Sequence, residues 1–89
     1  MEKRIGAILI MIEKDAEVSN LNAIISAHSE IIIGRQGIPL RDKGINVISL
    51  VIESTTDKLG SLTGKLGKLR GVHIKSILMK NKQEQSDEL

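Results

Sequence analysis

The sequence predicts an α+β fold, because strand-like and helix-like segments alternate along it in a characteristic order. Continuous apolar runs, and runs with apolar residues at helical spacing, follow one another as strand, helix, strand, strand, helix, strand. That order is typical of the ferredoxin-like (βαββαβ) sandwich, a four-stranded antiparallel sheet with two helices on one face. Fifteen isoleucines and the absence of aromatic residues indicate a core of branched aliphatic side chains, which favour strands.

The first strand is predicted at residues 5–12, IGAILIMI, an apolar run with charged residues on both sides. Asp15 is predicted to cap the first helix, and His28 to close it by meeting the terminal carbonyl groups. Between them apolar residues recur at helical spacing, at Val18, Leu21, Ile24 and Ile25.

The second strand is predicted at residues 30–40 and is weakened by two glycines and by Pro39. Proline cannot donate to a strand ladder, so this strand is expected at an edge of the sheet. Residues 41–44, RDKG, predict a tight turn with Gly44 in the left-handed conformation. The third strand follows at residues 45–53.

The second helix is predicted to begin at Thr56 or Asp57 and to end at Gly71, before a fourth strand at residues 72–80. Its core face would consist of four leucines, Leu59, Leu62, Leu66 and Leu69. The polar residues 81–89 predict a disordered tail, which leaves residues 1–80 as one domain.

Both faces of the two central strands are predicted to be apolar. In the first strand Ile8, Ile10 and Ile12 point to one side, while Ile5 and Leu9 point to the other. Helices are available for only one face, so the other must meet solvent or a second molecule. We therefore expect a homo-oligomer, a dimer or tetramer, joined through the helix-free sheet face.

Composition excludes several classes of function. Thirteen basic and eleven acidic residues are too balanced for a protein that mainly binds a phosphate backbone, and no aromatic side chain is present to stack on bases. No direct nucleic-acid motif, signal-peptide pattern or membrane-length apolar run is visible, so we expect a cytoplasmic protein. No nucleophile elbow or metal-ligand spacing is visible either, so we expect neither an enzyme nor a cofactor.

Three glycines, Gly60, Gly64 and Gly67, interrupt the predicted second helix, and each should cost ~1 kcal/mol relative to alanine. They are expected to face outward, away from the leucines. Three interpretations remain open at this point. The glycines are tolerated at an exposed surface, they allow a neighbouring backbone to approach, or an anionic ligand sits near Thr63 against exposed amides and lysines.

Two further pairs of residues are candidates for binding. Arg35 and Arg41 flank the Gly37 region of the edge strand and could hold a carboxylate or phosphate at a subunit junction, or could simply be solvated. His28 and His73 are weak metal candidates, because the chain has no cysteine and the two histidines lie on different segments.

Two segments resemble a known family, GRQGIPLRDKGINVISLVIES at residues 34–54 and GSLTGKLGKLRGVHIKS at residues 60–76. They are similar to the small ACT-like proteins described as iron-only hydrogenase system regulators, which in turn resemble the C-terminal ligand domain of the nickel-responsive repressor. The likeness covers about residues 2–80.

The resemblance implies an ACT-type domain that assembles through its sheets and has a regulatory role, transcriptional regulation included, rather than a catalytic one. On this basis we expect a domain that senses a small molecule or docks on a partner. A purely structural interaction module and a metal-responsive sensor using His28 and His73 are the alternatives.

Overall fold

The computed structural model describes residues 2–80 and confirms the predicted order of elements. The predicted tail, residues 81–89, lies outside the described residues. The strands and helices are β1 (Arg4–Glu13), α1 (Val18–Ala27), β2 (Ile32–Leu40), β3 (Ile45–Ser54), α2 (Thr56–Gly67) and β4 (Val72–Leu78). The four strands form one antiparallel sheet in the order β2-β3-β1-β4.

A single aliphatic core lies between the sheet and the two helices. The central strand β1 contributes Ile8, Ile10 and Ile12 to it, each less than 5% exposed. The other members from the strands and helices are Leu21, Ile25, Ile31, Ile48, Leu50, Ile52, Leu59, Leu62, Leu66 and Val72. The alternation of β1 and β3 is therefore as predicted, with one set of side chains covered by helices.

Gly6 lets β4 pair closely with the central strand. Gly6 is opposite Leu78 in the β1–β4 ladder. A Cβ atom at Gly6 would overlap the carbonyl oxygen of Ile77 and crowd the Leu78 side chain. Glycine is therefore required here by packing, a role that the apolar run of the first strand does not reveal.

The first helix begins at Val18, and the predicted cap by Asp15 is wrong. Glu17 occupies the N-cap position but makes no capping bond within its own helix. Its carboxylate instead accepts from the backbone N–H of Arg70 at 2.7 Å and from the Asn20 side chain at 3.0 Å. The carboxylate at the N-cap position is thus engaged by the backbone of a residue distant in sequence.

The second helix begins at Thr56 as predicted, with the Thr55 hydroxyl accepting from the Lys58 N–H at 3.2 Å. It ends at Gly67, four residues before the predicted end at Gly71. The N–H groups of the next two residues donate to carbonyls only three positions back, which tightens the chain out of the α-helix.

The segment after α2 is hydrogen-bonded to the turn between β1 and α1. The carbonyl of Gly71 accepts from the Glu13 N–H at 2.8 Å, and the carbonyl of Arg70 accepts from the Glu17 N–H at 3.4 Å. Gly71 has a φ of 76°, and a Cβ there would press on Ala16. These bonds draw residues 68–71 away from the helix axis.

The edge position of β2 is confirmed, because β2 pairs only with β3. Gly44 has the predicted left-handed conformation, with a φ of 68°, after the short turn Arg41–Lys43. The register irregularity of β2 lies between Ile32 and Gly34. Within residues 2–80 no helix is long and apolar enough to cross a membrane.

We expect the Glu17 carboxylate to make the free energy of unfolding depend on pH. The Arg70 N–H, and then the Asn20 amide, lower the pKa of Glu17 below its ordinary value of 4.5. The lowered pKa stabilises the fold above about pH 4.5, and this stabilisation is lost as the pH falls through the folded-state pKa.

Urea unfolding of the wild type and of Glu17→Gln at about pH 7 and about pH 3 measures this effect. The stability difference between the two proteins should be larger at neutral pH and shrink in acid. Glu30→Gln is the control, since the structure shows no hydrogen bond of this exposed carboxylate within residues 2–80. A pH-independent difference for Glu17→Gln would contradict the assignment.

Candidate functional site

The sheet has one face without helices, which we call the helix-free face. It carries the odd-numbered residues of β1, β3 and β4 and the even-numbered residues 34–40 of β2, as the strand register requires. Large apolar side chains on this face are exposed by between 40 and 62%. They are Ile5, Leu9, Met11, Ile38, Val51 and Ile77.

The helix-free face has small side chains near its centre and a polar pair at one end. Ala7 and Ser49 lie among the large apolar side chains of the two central strands. At one end the His73 side chain on β4 contacts the Glu13 carboxylate on β1, and both side chains are 55% exposed. The exposed apolar part of this face is therefore bordered at one end by a polar pair of side chains.

A cleft of about 330 Å³ lies on the other side of the sheet, between the start of α1 and strands β2 and β3. We call it the α1–β2 cleft. It is lined by Ile12, Val18, Leu21, Asn22, Arg35, Gly37, Ile38, Pro39, Asn46, Val47 and Ile48. Its wall is mainly aliphatic, with two amides and one charged group.

Arg35 is the one charged residue that lines the α1–β2 cleft in the described part of the chain. Its guanidinium donates to the Asn22 side-chain oxygen at 3.2 Å, joining β2 to α1. No carboxylate bonds to Arg35 among the residues that the structure describes. The cleft therefore presents a cation beside apolar walls, an arrangement suited to an amphipathic anion.

The sequence from residue 4 to residue 76 matches the TM1266-like family, described as "Iron-only hydrogenase system regulator, putative". This chain belongs to the TM1266-like family. The match spans most of the described domain, including β1, both helices and the α1–β2 cleft. No curated protein matches the chain.

Two solved structures are similar to this TM1266-like chain. The uncharacterized protein TM1266 from Thermotoga maritima is 34% identical, with a TM-score of 0.84, and the match covers 89% of this chain and 100% of that one. An unknown protein from Galdieria sulphuraria is 10% identical, with a TM-score of 0.58, covering 90% of this chain and 47% of that one. The second likeness concerns the fold alone.

The candidate residues predicted from the sequence fall into separate places in this TM1266-like fold. Arg35 and Gly37 both line the α1–β2 cleft. Arg41 lies in the exposed turn after β2 and is not part of the cleft lining. His28 is buried at the end of α1 with its Nδ1–H donating to the Ile24 carbonyl at 2.8 Å.

The two histidines are not brought together. His28 is at the end of α1, whereas His73 lies on the helix-free face opposite Met11. Within residues 2–80 no group of three or more histidine, cysteine, aspartate or glutamate side chains is arranged to hold a metal ion. The buried helix-end contact of His28 agrees with the structural interpretation of that residue.

The glycines of α2 face open space, as predicted. A Cβ atom on Gly60, Gly64 or Gly67 would meet nothing within 4 Å. The Thr63 hydroxyl donates to the Gly60 carbonyl at 3.4 Å, so it is engaged with its own helix. None of these four residues lines the α1–β2 cleft.

Sequence reasoning missed the partners of Arg35 in the cleft. Val18 and Asn22 precede it by more than ten residues, and Asn46 follows it on the next strand. One signal was available in the sequence, because β2 was expected at an edge of the sheet and contains glycine. A helix packed over such a strand leaves an unfilled space where side chains are missing. Neither asparagine has a sequence pattern that distinguishes it from a solvated residue.

Alanine at Gly6 and at Gly64 should change stability in opposite directions. Gly64→Ala should stabilise the protein by up to ~1 kcal/mol, because the added methyl group replaces a flexible exposed glycine in a helix. Gly6→Ala should destabilise it by about 1–3 kcal/mol, because the methyl group must displace β4.

Urea unfolding of both variants beside the wild type provides the measurement. Sedimentation of Gly64→Ala is the accompanying control. A loss of assembly in Gly64→Ala would show that the α2 glycines form a contact surface, and equal behaviour of the two variants would contradict the packing role of Gly6.

Proposed function

We propose that this chain is a regulatory, non-catalytic domain of the hydrogenase system that acts as an assembly of identical copies joined through the helix-free face. In this state it senses a small molecule or docks on a partner. The regulatory part of the proposal is supported by the family, which is described as a hydrogenase system regulator. The assembly is supported by the open apolar face of the sheet.

The distribution of exposed apolar residues carries the proposal. Six large aliphatic or methionine side chains on one face retain 40 to 62% of their exposure while the opposite face holds the whole core. Large contiguous apolar patches are uncommon on monomeric proteins and usually mark interaction sites. A partner that removes these side chains from water would complete a second apolar layer.

A second copy of the chain is a suitable partner in size and shape. Four strands spaced about 4.8 Å apart, each seven to ten residues long, cover roughly 500 Å² in projection. The side chains project from the sheet, so the accessible area of the face is larger than its projected area. Stable interfaces bury about 800 Å² on each partner. The small side chains of Ala7 and Ser49 near the centre of the face would allow two sheets to pack about 10 Å apart.

The helix-free face and the cleft meet at one pair of residues. Ile38 and Val47 are opposite each other in the β2–β3 ladder, lie on the helix-free face and also contribute to the cleft lining. An occupant of the cleft and a second copy on the sheet would therefore contact the same strand segment. This shared contact favours a sensing role over a purely structural one.

We expect Leu9→Lys to prevent assembly without unfolding the protein. Leu9 is 54% exposed at the middle of the central strand, so a lysine there keeps its ammonium group in water in the single copy. In the assembly that charge would be buried between two sheets. Sedimentation velocity should show an oligomer for the wild type and a 9.7 kDa particle for Leu9→Lys.

The control is Ala23→Lys, which places the same charge on an exposed apolar residue of α1, away from the helix-free face and outside the cleft lining. This variant should sediment as the wild type does. A monomeric wild type at micromolar concentration, or an oligomer that tolerates Leu9→Lys, would contradict assembly through the helix-free face.

A further inference from the structure

We propose that the α1–β2 cleft binds a small aliphatic carboxylate, with Arg35 as the group that recognises the anion. This inference rests on the sensing part of the proposed function and names its ligand class, but the site lies within one copy of the chain and does not require assembly. The inference rests on the charge of the cleft, on the absence of a side chain at Gly37 and on the size of the space.

The charge in the cleft lining is positive. Among residues 2–80, Arg35 is the only charged residue in the lining, and no carboxylate of this range lines the cleft. The bond from Arg35 to the Asn22 oxygen uses one of the five N–H donors of the guanidinium. The remaining donors form a planar fork that matches the two oxygens of a carboxylate.

Gly37 keeps the cleft open. Its φ is not positive, so the backbone conformation does not require glycine. A Cβ atom at this position would meet nothing within 4 Å, so packing within the chain does not require it either. Strands disfavour glycine, yet here its missing side chain leaves space on the side of the sheet that carries α1.

These properties distinguish Gly37 from the other strand and turn glycines. Gly6 is required by the approach of β4, and Gly44 by its left-handed backbone. Gly34 is also uncrowded, but it lies outside the cleft lining. Gly37 therefore combines an unforced glycine with a position beside the single cation of the cleft.

The volume and the walls define the class of ligand. About 330 Å³ is near the lower end of the volumes of ligand sites and suits a small ligand. The walls at Val18, Leu21 and Ile48 are aliphatic and suit a saturated chain. One guanidinium balances a monoanion, whereas a phosphate ester carries about −1.5 to −2 at neutral pH.

Titration of ¹⁵N-labelled protein with hexanoate tests the proposal, with amide chemical shifts as the readout. Hexanoate should bind saturably with a Kd of about 1 mM or tighter, as expected for a ligand of this size. The shifted amides should cluster in α1, β2 and β3. Hexanamide, which has the same shape without the charge, should bind at least about tenfold more weakly.

Two variants and two matched controls locate the site. Arg35→Gln should weaken hexanoate binding by about tenfold or more, and Gly37→Val should abolish it by filling the cleft. Arg41→Gln and Gly34→Val remove an arginine and a glycine from the same segment outside the cleft, and both should bind as the wild type does. The amide spectrum of each variant reports whether the fold is retained.

The proposal is overturned if hexanoate and its neighbours from acetate to octanoate give no saturable shifts. It is also overturned if binding survives both Arg35→Gln and Gly37→Val, or if hexanamide binds as well as hexanoate. Should Gly37→Val fail to fold, Arg35→Gln and Gly37→Ala decide the question, since one removes the charge and the other narrows the cleft. Sedimentation is measured separately, so a failure of assembly does not affect this result.

Discussion

The structure depends on a central strand that is apolar on both sides in a chain with helices for only one of them. Alternate side chains of β1 must point in opposite directions, so the isoleucines at 8, 10 and 12 enter the core while Leu9 and Met11 face away from it. One aliphatic core results, and a second apolar surface is left uncovered. A domain of this size buries only a modest share of its surface, which makes an uncovered layer costly to leave in water.

The two edges of the sheet are packed differently. At β4 the backbones approach so closely that Gly6 can carry no side chain, and the turn before β4 is tied to the β1–α1 turn through Glu13 and Glu17. At β2 the chain is loosely covered, because the ten-residue α1 buries only Leu21 and Ile25. Tight packing at one edge and loose packing at the other place the cleft beside β2.

The family and the geometry bear on function in different ways. The TM1266-like family is described as a hydrogenase system regulator, and the family resemblance seen in the sequence is confirmed. The geometry offers two surfaces for the proposed regulation. One is an apolar face that suits a second copy, and the other is a cleft lined by one described cation. Ile38 and Val47 border both, so the two surfaces share one stretch of the β2–β3 ladder.

The sequence by itself determined the element order, the edge position of β2, the left-handed Gly44 and the two faces of β1, because periodicity and turn chemistry are local properties. It also singled out Arg35 and Gly37 as candidates, and the structure places both in the lining of the cleft. The start of α1, the end of α2, the need for glycine at position 6 and the cleft were decided only by tertiary structure. Each of these depends on atoms more than ten residues apart, such as the Glu17 carboxylate and the Arg70 N–H, and no local pattern encodes their meeting.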